Sequence, residues 1–212
     1  MRIIAGALKG RQLVTPRGHR TRPTADQVRI ALMDALMPEL PEARVLDLFA
    51  GAGGVGLEAI SRGARIATFV ERDFRAVSAL RQNLAVLGLR GRARVLQADV
   101  ARALDRLAAD GERFDVVFLD PPYEADLVDA TLERLGDGTL LTAESIVVAQ
   151  HLTKRAPSNT AGVLTAVRQR RFGETTLTSF RVGVPPTGAG APEAAETEAA
   201  GAPEPAADTP EN

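Results

Sequence analysis

From Ala43 to Leu119 the chain alternates between short, mainly apolar runs and stretches in which apolar residues return every three or four positions. The runs Val45 to Phe49, Ile66 to Val70, Arg94 to Gln97 and Phe114 to Leu119 predict strands, because a strand buried on both faces needs no polar alternation. Between them Leu57 to Ser61, about Phe74 to Leu87, and Val100 to Ala108 predict helices, with Phe74, Val77, Leu80, Leu84 and Leu87 turned inward on the second. Such alternation predicts a parallel sheet with helices on both faces. Further on come a helix at about Ala125 to Leu135, a strand at Ile146 to Ala149, and two strands near Val163 to Gln169 and Thr176 to Val182 that are close enough to pair antiparallel. The expectation is a doubly wound, Rossmann-like α/β domain with a mostly parallel seven-stranded sheet and an antiparallel last strand.

Upstream, Arg2 to Ala5 and Arg11 to Val14 read as a small hairpin around Lys9-Gly10, followed by an irregular basic stretch from Thr15 to Pro23. Thr24-Ala25-Asp26-Gln27 matches a capping box, and behind it Val28, Ala31, Leu32, Ala35 and Leu36 form one stripe of a helix that Pro38 ends. Beyond Val184 the chain is rich in Ala, Pro, Glu and Gly and has no aromatic residue, so it cannot bury enough surface to offset the entropy of ordering. Three parts are expected: a basic N-terminal extension over 1–24, one α/β domain over 25–182, and a disordered acidic tail over 183–212.

At 212 residues and 45% hydrophobic content the chain can bury one core of ordinary size. It has no cysteine, which excludes disulfides, thiolate metal sites and thiol nucleophiles. The two histidines, His19 and His151, are far apart, no His/Asp/Glu cluster has metal-ligand spacing, and no metal is expected. No long apolar segment follows Met1, so neither a signal peptide nor a membrane span is expected, and cytoplasm is the expected compartment. The net charge of −1 conceals an asymmetry: the tail holds six acids and no base, leaving 26 bases against 21 acids over residues 1–182. A basic body with an acidic tail suits a nucleic-acid binder.

Candidate chemistry gathers where the strands end. Asp47-Leu48-Phe49-Ala50-Gly51-Ala52-Gly53-Gly54-Val55-Gly56 runs from strand through glycine turn to helix, and its last six residues satisfy G-x-G-x-x-G. The glycines serve a dinucleotide equally well, but Asp47 in the strand end would repel a pyrophosphate and favour a sulfonium or ammonium, both of which S-adenosylmethionine carries. Glu71, followed by Arg72, ends the second strand at a position suited to ribose hydroxyls; Asp99, followed by Val100, ends the third where it could accept from an adenine amine. Helix capping is the other reading, since Asp73 and Asp99 precede helical patterns. Asp120-Pro121-Pro122-Tyr123 closes the fourth strand with a carboxylate, two prolines and an aromatic ring, a set suited to a flat substrate bearing an amino group; a plain turn is the alternative.

Together Asp47 to Gly56, Glu71, Asp99 and Asp120-Pro121-Pro122-Tyr123 resemble the S-adenosylmethionine-dependent methyltransferases of exocyclic amines. With Arg2 to Gly6, Gly10-Arg11, Thr21 to Thr24, Val45 to Arg62 and Phe172 to Thr175, residues 1–182 resemble the bacterial RsmD family, which methylates N2 of a guanine in 16S ribosomal RNA. The sequence departs from that family at Ala149-Gln150-His151, where a glutamate is more frequent, and at Phe180, which replaces a frequent tyrosine. The resemblance implies S-adenosylmethionine held by Asp47, Phe49, Ala50, Gly51, Gly53, Gly56, Glu71, Arg72, Asp99 and Val100. It also implies that the Asp120 carboxylate and Pro121 carbonyl accept the amine hydrogens while Tyr123 stacks on a base flipped out of its stack. Arg2, Lys9, Arg11, Arg20 and Arg22 are the candidate RNA contacts, the partner being 16S rRNA in a small-subunit assembly intermediate, with no membrane and a monomeric enzyme expected. Three other readings remain: amine methylation of DNA adenine or protein glutamine, an NAD-dependent oxidoreductase, and a non-catalytic RNA-binding assembly factor.

Overall fold

The computed structural model describes residues 1–16, 23–122 and 127–184. Eight strands form one sheet: β1 (Arg44–Leu48), β2 (Ile66–Glu71), β3 (Ala93–Gln97), β4 (Phe114–Leu119), β5 (Leu141–Leu152), β6 (Thr160–Ala161), β7 (Leu164–Phe172) and β8 (Thr175–Val182), in the order β3-β2-β1-β4-β5-β8-β7-β6. The first five are mutually parallel; β8 runs antiparallel to β5, and β7 antiparallel to β8. The expected doubly wound sheet is therefore present with one strand more than expected. The addition, β6, is two residues paired to β7 across Gly162, too short to leave an apolar run in the sequence.

Helices α1 (Pro23–Leu36), α2 (Gly54–Ser61), α3 (Phe74–Val86), α4 (Val100–Ala109) and α5 (Leu127–Leu135) cover the sheet. Two cores result. On one face Val45, Phe69, Val116, Phe118, Ile146, Val148 and Leu177 pack with Leu32 and Leu36 of α1, Leu57 and Ile60 of α2, and Leu80 and Leu84 of α3. On the other, Leu46, Leu48, Val117, Leu119 and Val147 pack with Leu104 and Leu107 of α4 and Leu132 of α5. Because side chains alternate along a strand, this assigns each strand-end residue to a face.

Three expectations need correction. Phe74 is not inward: it is 68% exposed, since its helix begins there, one residue past the cap Asp73 at the rim of the sheet, and only the later stripe residues reach the core. The N-terminal hairpin reduces to a single antiparallel bridge, Arg2 to Gln12. Side chains of the domain take the remaining donors instead. Fully buried Glu58 of α2 accepts from the Ile4 and Ala5 amides (2.7 and 2.9 Å), and Ser61 Oγ accepts from Leu8 N. The α1 helix ends at Leu36 and passes into a 3₁₀ turn, Met37–Glu39, so the break precedes Pro38, as expected from the clash of a proline ring with the preceding turn. Within α1 Met33, not Ala35, completes the buried stripe.

Candidate active site

Parallel register aligns the strand ends. Leu48 pairs with Val70 and Leu119, and Leu119 pairs with Ala149, so the next residue on each strand is Glu71 (β2), Phe49 (β1), Asp120 (β4) and Gln150 (β5). Asp47 lies one pair-step deeper, and by alternation it shares with Glu71, Asp120 and Gln150 the face covered by α1, α2 and α3. Three carboxylates thus converge at the C-terminal edge of the sheet, where open α/β sheets bind ligands.

Each acid is held differently. Asp47 is buried, and its Oδ2 accepts the Gly56 amide at 2.9 Å, fixing the first turn of α2. Burial, together with the charges of Asp120 and Glu71, pushes its carboxyl up to about 7 despite the opposing Gly56 bond. Asp120 is also pushed up to about 7, by burial alone. Glu71 accepts from Gly51 N through one oxygen and Asp73 N through the other, both at 2.8 Å, which leaves further lone pairs on each oxygen for hydroxyl donors. Asp99 is exposed and caps α4 by accepting from Ala101 N at 2.9 Å; Val100 behind it packs into the second core. The capping reading of Asp99 is thus realised, and capping leaves the other oxygen open.

The glycine loop shows why those residue types are needed. Gly51 and Gly53 take φ of +55° and +85°, and between the strand and them Phe49 itself sits at +62°, an unusual conformation for a bulky side chain. That backbone flips the Phe49 ring from its alternation side onto the second core, so its ring supports the loop from beneath. A β-carbon on Gly51 would meet nothing within 4 Å, whereas one on Gly56 would come to 2.4 Å from the Phe69 ring. Gly51 therefore borders open space, and Gly56 lets helix and strand approach closely. Ala50 is buried in the first core and Arg72 is exposed at the rim.

Pro121 is buried and Pro122 exposed beside Asp120; Tyr123 lies outside the described residues, as do Arg17, Arg20 and Arg22 and the tail from 185, while α1 begins at Pro23, so Thr24 of the expected capping box lies within the helix and not at its cap. The other N-terminal cations split from the site. The turn carrying Lys9 is fastened through Ala7 N and Leu8 N to Ser61 at the end of α2, and the Arg11 guanidinium donates to Val86 O at the end of α3. Both helices start at the ligand edge and run away from it, so Lys9 and Arg11 sit toward the opposite rim; Arg2 is exposed, and Arg29 donates to its carbonyl while approaching Gly54 at the start of α2.

Sequence reasoning missed Asn83. Buried on α3, it donates to Ala52 O in the glycine loop (3.1 Å) and to Val14 O (3.0 Å), and accepts from Val14 N (2.8 Å). One amide thus fastens the N-terminal segment to the loop. Asn83→Ala leaves three backbone groups without these partners and is expected to cost about 1–3 kcal/mol in denaturant unfolding, with faster amide exchange at Val14.

Among known proteins, the model of the family described as conserved hypothetical protein 95 matches residues 1–181. Ribosomal RNA small subunit methyltransferase D of Escherichia coli (strain K12) is 39% identical over 150 residues, 71% of this chain and 74% of that protein. The chain belongs to the RsmD family. The Haemophilus influenzae protein of the same name is 33% identical over 186 residues, 86% of this chain and 92% of its own. A solved structure of a hypothetical protein from Thermus thermophilus is 37% identical with a TM-score of 0.74, covering 86% of this chain and 99% of that one. The fold is the Rossmann-like one of solved structures described as a putative methyltransferase from Escherichia coli and a putative methylase from Haemophilus influenzae. Among the described residues no helix is long and apolar enough to cross a membrane.

Proposed function

We propose that the chain methylates the exocyclic N2 amine of a guanine in 16S ribosomal RNA, with S-adenosylmethionine as donor, on an assembly intermediate of the small subunit. The observation that carries this reading is the convergence of Asp47, Glu71 and Asp120 on one face of one sheet edge in a chain whose relatives are named small-subunit rRNA methyltransferases. Three acids around an open glycine loop fit a cationic ligand and oppose a pyrophosphate. When bound, S-adenosylmethionine supplies a methyl group on a sulfonium, an already activated donor.

Glu71 would hold the ribose hydroxyls through its unused lone pairs, and Asp99 and Arg72 would flank the adenine, with Val100, Phe49 and Ala50 supporting them from the core. Asp47 keeps Gly51, Gly53 and Gly56 in place through the Gly56 bond and adds negative charge beneath the cationic groups. The guanine amine is a weak nucleophile because its lone pair is delocalised into the ring. Asp120 Oδ and the Pro121 carbonyl accept its two hydrogens and turn the remaining lone pair toward the methyl, while Pro122 stiffens the backbone and Tyr123 stacks on the base. A carboxylate with its pKa near 7 then suits the last need, taking the proton that the methylated nitrogen releases.

RNA needs cations to hold its phosphates. Arg2, Lys9, Arg11, Arg20 and Arg22 are one proposed group, with Lys9 and Arg11 toward the far rim. A second lies closer to the strand ends. Since β7 runs parallel to β5, Arg168, Arg170 and Arg171 approach the same edge, joined there by Lys154 and Arg155, which follow β5. None of these five is in an ion pair among the described residues, and Arg170 stacks on Phe172 at 5.8 Å. Replacing Lys154, Arg155 and Arg168 by alanine is expected to lower the slope of log affinity for RNA against log salt by about 0.7 for each phosphate that the variant no longer neutralises. An unchanged slope would exclude this surface from RNA binding.

The test of the function itself is methyl transfer to small-subunit particles, followed by digestion to nucleosides. N2-methylguanosine is the expected product. Transfer to a different atom or nucleoside would reject the substrate, and no transfer to any ribosomal RNA would favour a non-catalytic assembly factor.

A further inference from the structure

The acidic tail is the one segment that the proposed chemistry leaves unused. The family match ends at residue 181, and beyond it Glu193, Glu196, Glu198, Glu204, Asp208 and Glu211 are accompanied by no base. The root of the tail is fixed. Gly183 N donates to Val163 O at 3.0 Å and Thr165 Oγ1 donates to Val184 O at 2.7 Å, which pins the last described residue beside the start of β7. Cations on that rim are already engaged: Arg181 pairs with Glu39, Arg44 with Glu112 and Arg94 with Asp110 and Glu112, while Arg113 donates to the carbonyls of Gly138 and Leu141.

The other end of β7 is different. Between Leu152 and Val182 the chain holds six bases and a single acid, Glu174. Of those bases only Arg181 is in an ion pair among the described residues; Lys154, Arg155, Arg168 and Arg171 are exposed, and Arg170 lies over the Phe172 ring. Five like charges at one end of the sheet repel one another and favour an anionic partner.

The tail has the charge and the reach. From Thr165 to Arg170 is five residues, about 17 Å along the strand. From Val184 to Glu193 is nine residues, up to about 30 Å fully extended and about 16 Å as a coil average, and by Glu198 the average rises to about 21 Å. A tether whose average length matches the span it must cross gives the highest local concentration of its acids over the cations.

We propose that the segment Glu193 to Glu198 docks on the surface formed by Lys154, Arg155, Arg168, Arg170 and Arg171 and competes there with RNA phosphates. This rests on the reading of that surface as an RNA contact, and it makes the tail an internal regulator of RNA affinity. RNA bound through this surface must displace the tail; a ligand held at Asp47 and Glu71 need not.

Docking is read first, without RNA. The chain has no cysteine, so Ala195→Cys carries a nitroxide at one defined place. In low salt the label is expected to broaden the backbone amide signals of Lys154, Arg155 and Arg168 to Arg171, and salt at about 0.5 M is expected to remove the effect. Glu193→Gln, Glu196→Gln and Glu198→Gln together, none of them within the described fold, are expected to abolish it as well. Signals broadened evenly over the surface, or not at all, would overturn the docking.

Competition is read separately, as affinity for a small-subunit RNA fragment. Truncation after Val184 is expected to tighten binding about 3- to 10-fold at about 50 mM salt, and the gain is expected to vanish when Lys154, Arg155 and Arg168 are replaced by alanine. An equal gain in both backgrounds would show that the tail acts through diffuse negative charge, and would overturn docking as the mechanism. No gain in wild type, with the broadening present, would overturn the competition and the RNA role of this surface together, while guanine methylation stands or falls by its own product test.

Discussion

Replacing Asp120 by alanine is expected to reduce methyl transfer by roughly 10³-fold while leaving the affinities for RNA and for S-adenosylhomocysteine nearly unchanged. The size follows from what is removed. Asp120 supplies the one ionisable acceptor beside Pro121 at the end of β4, and without it the amine keeps its lone pair in the ring. Asn preserves the shape and one oxygen that can accept the amine hydrogen but cannot take up the released proton, so Asp120→Asn should recover part of the rate and lose its pH dependence. The pH profile gives an independent signature. With the Asp120 carboxyl pushed up to about 7 by burial in the ligand-free chain, the acceptor is protonated below that pH, and kcat/KM for S-adenosylmethionine, which reports the free enzyme, should fall on the acid side. A kcat/KM flat from about pH 6 to 8 would contradict the assignment.

The same shift bears on stability. Asp47 and Asp120 have folded-state values above their ordinary range of about 3.8, so between about pH 4 and about 7 the folded chain holds protons that the unfolded chain releases. Stability therefore declines as pH rises through that window and levels off above it. A cationic ligand bound beside both acids lowers their pKa values, releases protons to buffer near neutrality, and becomes tighter as pH rises.

Gly56→Ala should damage the fold and the cofactor site together. A β-carbon there would lie 2.4 and 2.8 Å from two atoms of the Phe69 ring, which is fully buried in β2, and 3.2 Å from Asp47 Oδ2. The ring has no free volume to enter, so α2 must lift, and the Asp47 to Gly56 bond lengthens or breaks. That would leave a buried carboxylate without its donor. A loss of at least roughly 2 kcal/mol in denaturant unfolding is expected, together with a fall of tenfold or more in S-adenosylhomocysteine affinity, because the loop is carried by that helix. Gly51→Ala is the matched control. Its β-carbon meets nothing within 4 Å, so only the φ of +55° resists it, at about 1 kcal/mol. Equal stability losses for the two variants would show that packing behind the loop is not what Gly56 provides.

Much of this arrangement is legible along the chain because it depends on local pattern. The apolar runs Val45 to Phe49 and Phe114 to Leu119 read as central strands between helices, and a parallel sheet puts all their C-terminal residues on one edge, so Asp47, Glu71 and Asp120 are brought together by topology alone. What stays hidden depends on partners distant in sequence. Glu58 reads as a helix-surface acid four residues before Arg62, yet it is fully buried because the amides of Ile4 and Ala5 need an acceptor. Asn83 reads as an interruption in the α3 stripe, and only the fold reveals that its amide joins Ala52 and Val14. Phe74 fits the helical period but begins its helix at the rim, where periodicity carries no information about the sheet's extent.

The most direct measurement is a crystal structure of the chain with S-adenosylhomocysteine and an RNA fragment containing the methylated guanine. The account predicts the guanine N2 within hydrogen-bond distance of both the Asp120 carboxylate and the Pro121 carbonyl, on the face of the sheet that carries Asp47. Asp120 turned to solvent, with the adenosyl ligand seated elsewhere, would contradict it.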